Sequence, residues 1–355
     1  MRIASIVGAR PQFIKAAPVC RALRVAHEEI LIHSGQHYDH GMSQVFFDEL
    51  GIPAPDHNLG IVAGTHGRMT GEMMAALEDL LFQISPDVVL VYGDTNTTLA
   101  GGLVAAKMNI PVAHVEAGLR SFNRSMPEEV NRIAVDHLSE LLLAPTRVAM
   151  ENLATEGLAE RAVLVGDVML DTARAFAERV ELDAVLATHG LTPGGYYLAT
   201  VHRAATTDDP AQLRAVVRAF GSLDRPVVWA VHPRTSGNLD TFGLRAGVES
   251  APSIRTLGPQ PYGATIALLR GSAGLLTDSG GMQKEAYFFG IPCVTLRNET
   301  EWVETVELGW NRLAGTDADR IRAAVSGLTR PSERPDVYGD GHAATRVAGA
   351  LERLG

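Results

Sequence analysis

Three acidic stretches stand where chemistry would be expected of them. The apolar residues 88–92 stop at Gly93-Asp94-Thr95-Asn96-Thr97-Thr98, and residues 111–115 stop at Glu116-Ala117-Gly118-Leu119-Arg120. Met126-Pro127-Glu128-Glu129-Val130-Asn131-Arg132 then opens a helical pattern with acids in its first turn. A carboxylate that follows an apolar strand lies at the carboxyl edge of its sheet. Like charges crowded at one such edge raise at least one pKa and leave a proton to donate. Two structural alternatives accompany this reading. Asp94 can cap a helix starting near Thr97, and the acids at 128 and 129 can complement a helix dipole.

The cations and glycines point to an anion. Gly8-Ala9-Arg10-Pro11-Gln12-Phe13-Ile14-Lys15 follows the first apolar run and is neither a dinucleotide fingerprint nor a P-loop. Arg10 and Lys15 are placed to meet an anion at a helix N-terminus, the alternative being two solvated cations. In the second half, Ala199-Thr200-Val201-His202-Arg203 ends a strand pattern, and His232-Pro233-Arg234 occupies a similar place. A His-Arg pair there serves acid–base work or phosphate contacts, since His titrates near neutrality. Leu275-Leu276-Thr277-Asp278-Ser279-Gly280-Gly281-Met282-Gln283-Lys284-Glu285 is the strongest local signal. Strand, Ser-Gly-Gly and helix make an anion cradle from backbone N–H groups and the helix N-terminus. Glu285, one turn into that helix, can accept hydrogen bonds from a ribose diol. The alternative is a glycine turn with an ordinary cap.

Alternating β-rich and helical patterns must position these residues. The strand patterns 2–7, 29–33, 88–91 and 112–115 are interleaved with helical patterns at 11–26, 69–84 and 97–108. A second series begins at 196–201 and continues through 226–230, 254–257, 274–276 and 292–296. This grammar predicts α/β architecture with two Rossmann-like, doubly wound domains. The expected boundaries are 1–168 and 169–340, with a hinge near 166–172 before a polar helix at 174–188. A last helix, 341–353 within 341–355, is expected to pack back on the first domain. Ligands bind outside the carboxyl ends of such sheets, so the expected site is a cleft between the two domains.

The chain has 355 residues, a formal charge of −10 and 20% charged residues. At about 150 residues per domain, that length predicts two cores. The acidic balance, with no Lys/Arg block, argues against nucleic acid or an anionic membrane as partner. The apolar stretches fall far short of the ~20 residues that span a bilayer. The start reads as a first strand rather than a signal peptide. Cys20 and Cys293 form no metal-ligand spacing and are expected to be two buried thiols in a reducing cytosol. The expected location is therefore cytoplasmic.

Taken together, these motifs resemble, in order and over nearly the whole chain to Tyr338-Gly339-Asp340-Gly341, the UDP-N-acetylglucosamine 2-epimerase family of non-hydrolysing type. The resemblance implies a GT-B, glycogen-phosphorylase-like architecture, a UDP-sugar substrate, a homodimer, and neither metal nor redox cofactor. It implies catalytic roles for Asp94, Glu116, Glu128 and His202. It assigns Arg10 and Lys15 to the diphosphate and sugar, and Ser279, Gly280 and Gly281 to phosphate oxygens. Glu285 would hold the ribose, Gln260 the nucleotide, and Arg203 stays with the phosphate contacts.

The chain also departs from the family pattern. Ala205 stands where the family usually has an acid, and Thr206-Thr207-Asp208 is similar to hydrolysing members. Trp302 replaces an Arg that contacts nucleotide in many bacterial members, and Thr265 replaces an aromatic near the base. Gln36-His37-Tyr38-Asp39 lacks the second Gln that some members use to bind an activating substrate molecule. Thr65-His66-Gly67 and the Trp302 segment are similar to the branch acting on UDP-2,3-diacetamido-glucuronate.

The implied reaction inverts C2 of a sugar nucleotide, a carbon whose hydrogen is not acidic. Breaking the anomeric C–O bond first acidifies that hydrogen, so the expected route is loss of UDP to a 2-acetamidoglucal and re-addition. UDP-N-acetylglucosamine is the expected substrate. The alternatives are the same chemistry on the diacetamido-uronate, a hydrolysing epimerase, a GT-B glycosyltransferase and an inactive sugar-nucleotide sensor. A uronate asks for a cation near C5, from Arg203, Arg234 or Arg297.

Overall fold

The computed structural model describes residues 1–35, 47, 49–62 and 64–355. Gln36-His37-Tyr38-Asp39 lies outside the described residues. Two compact units are present, one of Met1–Arg174 with Asp336–Gly355, the other of Ala175–Pro335.

The first unit is built on a parallel sheet of seven strands. They are β1 (Arg2–Val7), β2 (Glu28–His33), β3 (His57–Asn58), β4 (Val88–Tyr92), β5 (Val112–Val115), β6 (Leu141–Ala144) and β7 (Ala162–Leu164). Their order is β3-β2-β1-β4-β5-β6-β7. Every residue of β4, Val-Val-Leu-Val-Tyr, is buried, as expected of a strand covered on both faces. The strand direction of growth reverses between β1 and β4, which are hydrogen-bonded neighbours. At such a switch point two loops diverge and leave a crevice at the carboxyl ends. The loops that diverge here are Gly8-Ala9-Arg10 and Gly93-Asp94.

The second unit repeats this plan with six parallel strands: β8 (Tyr197–Thr200), β9 (Val227–Ala230), β10 (Ile254–Leu257), β11 (Gly274–Thr277), β12 (Cys293–Thr295) and β13 (Asn311–Leu313). Their order is β10-β9-β8-β11-β12-β13, so the switch point falls between β8 and β11. Those strands carry His202-Arg203 and the Asp278-Ser279-Gly280 turn beyond their ends. Alternate residues pack on opposite faces. Leu198, Val228, Leu275 and Cys293 join one apolar cluster, while Tyr197, Ala199, Val227, Trp229 and Leu276 join another.

Some expected boundaries shift. The expected polar helix 174–188 is two helices, Val168–Arg179 and Leu182–Thr188, interrupted where Glu181 is extended. The first unit therefore ends inside Val168–Arg179, at 174/175 rather than 168/169, and the return begins at 336 rather than 341. The physical reason lies in what the start of that helix holds. Asp167 N–H donates to the Tyr338 carbonyl at 2.9 Å, and the Asp171 carboxylate accepts from the N–H groups of Ala343 (3.1 Å) and Ala344 (2.8 Å). Asp171 thus caps the last helix, Ala343–Leu351, which packs against the helix Arg10–Leu23. Burial pushes the Asp171 carboxyl up, which offsets part of the cap's contribution. Asp171→Ala is expected to lower stability by about 1 kcal/mol, read as a lower urea midpoint with faster amide exchange at Ala343 and Ala344. Unchanged exchange there would show that the cap does not hold the helix.

Candidate active site

In the first unit two of the three carboxylates expected from sequence, Asp94 and Glu116, sit at adjacent strand ends, each against a cation, while Glu128 lies in the helix Pro127–Leu138. Tyr92 on β4 pairs with Val115 on β5, and Gly93 N–H donates to the Val115 carbonyl at 2.9 Å. Asp94 and Glu116 therefore leave neighbouring strands side by side. Asp94 Oδ2 is bonded by Arg132 Nη2, and Arg132 Nη1 lies 3.1 Å from Glu129 Oε2. Asn131 Nδ2 donates to the Asp94 carbonyl at 2.9 Å. The helix behind this loop, Asn96–Lys107, is capped by Thr95, whose hydroxyl accepts from Thr98 N–H at 3.3 Å. The cap is therefore Thr95, not Asp94.

Glu116 is buried, and its Oε1 is 2.5 Å from Lys15 Nζ. Lys15 is thus a buried partner of a carboxylate rather than one of two solvated cations. Glu116 also has φ of +70°, a left-handed conformation unusual for a residue with a side chain. Such backbone costs on the order of 1–3 kcal/mol and persists only where its surroundings fix it. Glu128 and Glu129 diverge within one helical turn of Pro127–Leu138. Glu129 is buried and accepts from the N–H groups of Ser121 (2.9 Å) and Phe122 (2.8 Å); its role is to fix that loop. Glu128 is half-buried and has no hydrogen bond or ion pair among the described residues.

Gln12, whose position in the motif at 8–15 suggests no role of its own, joins the loops of the candidate site. Fully buried, its Oε1 accepts from Gly8 N–H (2.8 Å) and Ala9 N–H (2.9 Å), while its Nε2 donates to the Tyr92 carbonyl (3.0 Å). One side chain therefore ties the Arg10 loop to the end of β4. Its only sequence signal is a Gln at the third position of a helix, where capping side chains reach back. Gly8 is closely covered: a Cβ there would lie 2.0 Å from Ser34 Oγ and 2.4 Å from Thr97 Oγ1, so both hydroxyls would have to move. The Thr65-His66-Gly67 segment starts the helix His66–Ile84, and His66 Nδ1 lies 3.1 Å from Asn96 Nδ2, close to the Asp94 loop.

In the second unit a buried acid organises the His-Arg segment. Asp278 is fully buried, and its carboxylate accepts from His202 N–H (3.0 Å) and Arg203 N–H (2.9 Å). His202 Nδ1 is 3.6 Å from Asp278 Oδ1 and its ring packs 5.6 Å from that of His232. The sequence shows Asp278 as part of a strand-end run but not what it holds. Ser279 caps the helix Gly280–Phe288, its hydroxyl accepting from Met282 N–H at 3.5 Å. Gly280 is closely covered: a Cβ there would lie 2.4 Å from Glu301 Oε1 and 3.2 Å from Trp302 Nε1. Glu301 in turn has Arg297 Nη2 at 3.1 Å and Arg203 Nη2 at 3.9 Å. A carboxylate of the chain thus sits at the glycine turn between two arginines.

Glu285 is buried and accepts from the Tyr262 hydroxyl at 2.7 Å. Gln260 Nε2 donates to the Gly258 carbonyl at 3.0 Å, and the Thr265 hydroxyl donates back to the Pro261 carbonyl at 3.0 Å. Trp302 is buried, and the ammonium of buried Lys284 lies 4.0 Å from its ring centroid. Asp208, from the run after exposed Ala205, is bonded twice by Arg234 (2.9 and 2.5 Å), whose hydrogen bonds hold its carboxyl below the usual range. Both cysteines are buried. Among the described residues no group of three or more His, Cys, Asp or Glu side chains could hold a metal ion, and no helix is long and apolar enough to cross a membrane.

Two doubly wound parallel sheets, one ending in carboxylates set against cations and the other in a His-Arg segment beside a Ser-Gly-Gly helix start, define a two-domain α/β protein. Comparison with known proteins narrows this class. The profile of the UDP-N-acetylglucosamine 2-epimerase family matches residues 21–352. The UDP-2,3-diacetamido-2,3-dideoxy-D-glucuronate 2-epimerase of Pseudomonas aeruginosa is 48% identical over 100% of both chains. A UDP-N-acetylglucosamine 2-epimerase homolog of Methanococcus maripaludis is 46% identical, again over 100% of both. The crystal structure of the Methanocaldococcus jannaschii UDP-GlcNAc 2-epimerase, in complex with UDP-GlcNAc and UDP, superposes with a TM-score of 0.93 at 39% identity, covering 99% of this chain and 100% of that one. The chain belongs to the UDP-N-acetylglucosamine 2-epimerase family, and its fold is the GT-B-like pair of Rossmann-like domains.

Proposed function

We propose that this chain catalyses non-hydrolysing C2 epimerisation of a UDP-2-acetamido sugar, converting UDP-N-acetylglucosamine to UDP-N-acetylmannosamine. The observation that carries the reading is the pair Asp94 and Glu116 at adjacent strand ends, one held by Arg132 and one by Lys15. The C1–O bond breaks with its electron pair leaving on UDP, and the C2 proton passes to one carboxylate, giving a 2-acetamidoglucal. UDP then adds back to C1 while a second acid delivers a proton to the opposite face of C2. Each such group contributes about 10²–10⁴ in rate. Asp94, Glu116 and Glu128 are the acid–base candidates, with His202 beside the leaving phosphate. Arg10, Lys15, Arg203, Ser279, Gly280 and Gly281 stabilise the diphosphate, an electrostatic effect of a few kcal/mol per donor, roughly. Glu285 takes the ribose and Gln260 the nucleotide. We propose a homodimer in the cytoplasm.

The same chemistry on UDP-2,3-diacetamido-2,3-dideoxyglucuronate is a second reading, favoured by the Pseudomonas aeruginosa relative of that name. Of the three cations expected to meet a C5 carboxylate, Arg234 is committed to Asp208. Arg203 and Arg297, on either side of Glu301, are the ones this reading uses.

The deciding measurement is proton NMR of the enzyme with each UDP-sugar in deuterated water. The expected product is the C2 epimer, still joined to UDP and carrying deuterium at C2. Release of free N-acetylmannosamine and UDP would place the enzyme in the hydrolysing class. Turnover of the uronate alone would select the second reading, and no exchange with either would overturn both.

A further inference from the structure

His114, on β5, is fully buried two residues before Glu116 and takes no part in the chemistry above. Its Nε2 lies 2.6 Å from the Gly93 carbonyl oxygen and its Nδ1 2.7 Å from Asp136 Oδ1. The second oxygen of Asp136 accepts from Arg120 Nη1 at 2.7 Å and Gly118 N–H at 3.1 Å. Arg120 also holds Glu156 through two bonds of 2.7 Å. Burial alone would push the Asp136 carboxyl up, yet the hydrogen bonds and charges of His114 and Arg120 hold it below its ordinary value. Both ring nitrogens of His114 therefore face oxygen atoms, one on the Gly93 carbonyl and one on the Asp136 carboxylate.

The strained turn at Glu116 is thus tied at both ends to one carboxylate, by His114 before it and by Gly118 and Arg120 after it. The same imidazole fixes the carbonyl of the residue before Asp94. We infer that His114 and Asp136 are positioning residues that set the spacing between Asp94 and Glu116. This rests on the assignment of Asp94 and Glu116 to the acid–base steps. Displacing a reacting group by about 1 Å costs on the order of a hundredfold in rate, and this network is what prevents it.

Two substitutions separate positioning from mere packing. The amide of His114→Gln reaches the Gly93 carbonyl, whereas that of His114→Asn reaches only towards Asp136. In the full-length enzyme, His114→Asn is expected to lose about a hundredfold in kcat with KM within about threefold, and His114→Gln to recover at least tenfold of that. Thermal unfolding of both variants monitors the packing loss. Equal kcat in the two variants, or wild-type kcat in His114→Asn, overturns the inference. Should neither fold, Asp136→Asn takes their place, because its amide cannot accept from both His114 and Arg120; wild-type kcat in that folded variant would also overturn it. Full activity in Asp94→Asn and Glu116→Gln would instead remove the acid–base reading itself, a separate outcome.

Discussion

Asp94→Asn and Glu116→Gln are each expected to lower turnover by about 10²–10⁴ while leaving UDP affinity nearly unchanged. Removing either charge takes away a proton acceptor or donor at C2, and the diphosphate contacts proposed for Ser279, Gly280 and Gly281 remain. The two variants should differ in stability. Asp94 is partly exposed, whereas Glu116 and Lys15 are both buried. Glu116→Gln leaves Lys15 a buried cation with a neutral acceptor, so its cost falls at the low end of the roughly 3–5 kcal/mol seen when a buried pair loses one member. Turnover, UDP titration calorimetry and thermal unfolding of both variants separate these effects. Full turnover in both would sink the acid–base assignment. Loss of UDP affinity in Glu116→Gln would move that ion pair's role to holding Lys15 for the diphosphate.

Gly118→Ala is expected to destabilise the protein by roughly 2–5 kcal/mol, combining overpacking with left-handed strain. Gly118 has φ of +83°, and a Cβ there would lie 2.4 Å from the Ala149 carbonyl oxygen. That oxygen belongs to the backbone of the helix Arg147–Thr155 and cannot rotate away. Asn152 Nδ2 donates to the Gly118 carbonyl at 2.9 Å, so the turn is held from both sides. Any shift there moves Glu116, and turnover should fall with stability. Gly349→Ala is the contrasting case: it lies in the last helix with open space around its Cβ position. It should stabilise by roughly 0.5–1 kcal/mol. Urea midpoints of the two variants should move in opposite directions, and equal midpoints would show that neither backbone nor packing governs Gly118.

The strand runs were legible because parallel strands buried on both faces are written as short continuous apolar stretches. β4 is the clearest, and β10 coincides with its expected bounds. β3 has two residues, and β7 and β13 have three each, too few for any period to register. The break between Val168–Arg179 and Leu182–Thr188 carries no glycine or proline signal, so the helical pattern reads through it.

For the candidate site, the amino-acid order is enough to locate the loops and the residue types they hold. An apolar run ending in Gly-Asp, Glu-Ala-Gly or Asp-Ser-Gly-Gly places those residues at strand ends because side chains and backbone behave locally. It could not determine the partners. Lys15 meets Glu116 across 101 residues, Arg132 meets Asp94 across 38, and Asp278 meets His202 across 76. Those pairings exist because β1 lies beside β4, β4 beside β5, and β8 beside β11, and strand order is set by how helices cover the sheet faces. Which carboxylates face cations, which merely hold backbone, and that one buried imidazole joins the Asp94 and Glu116 loops all follow from that packing.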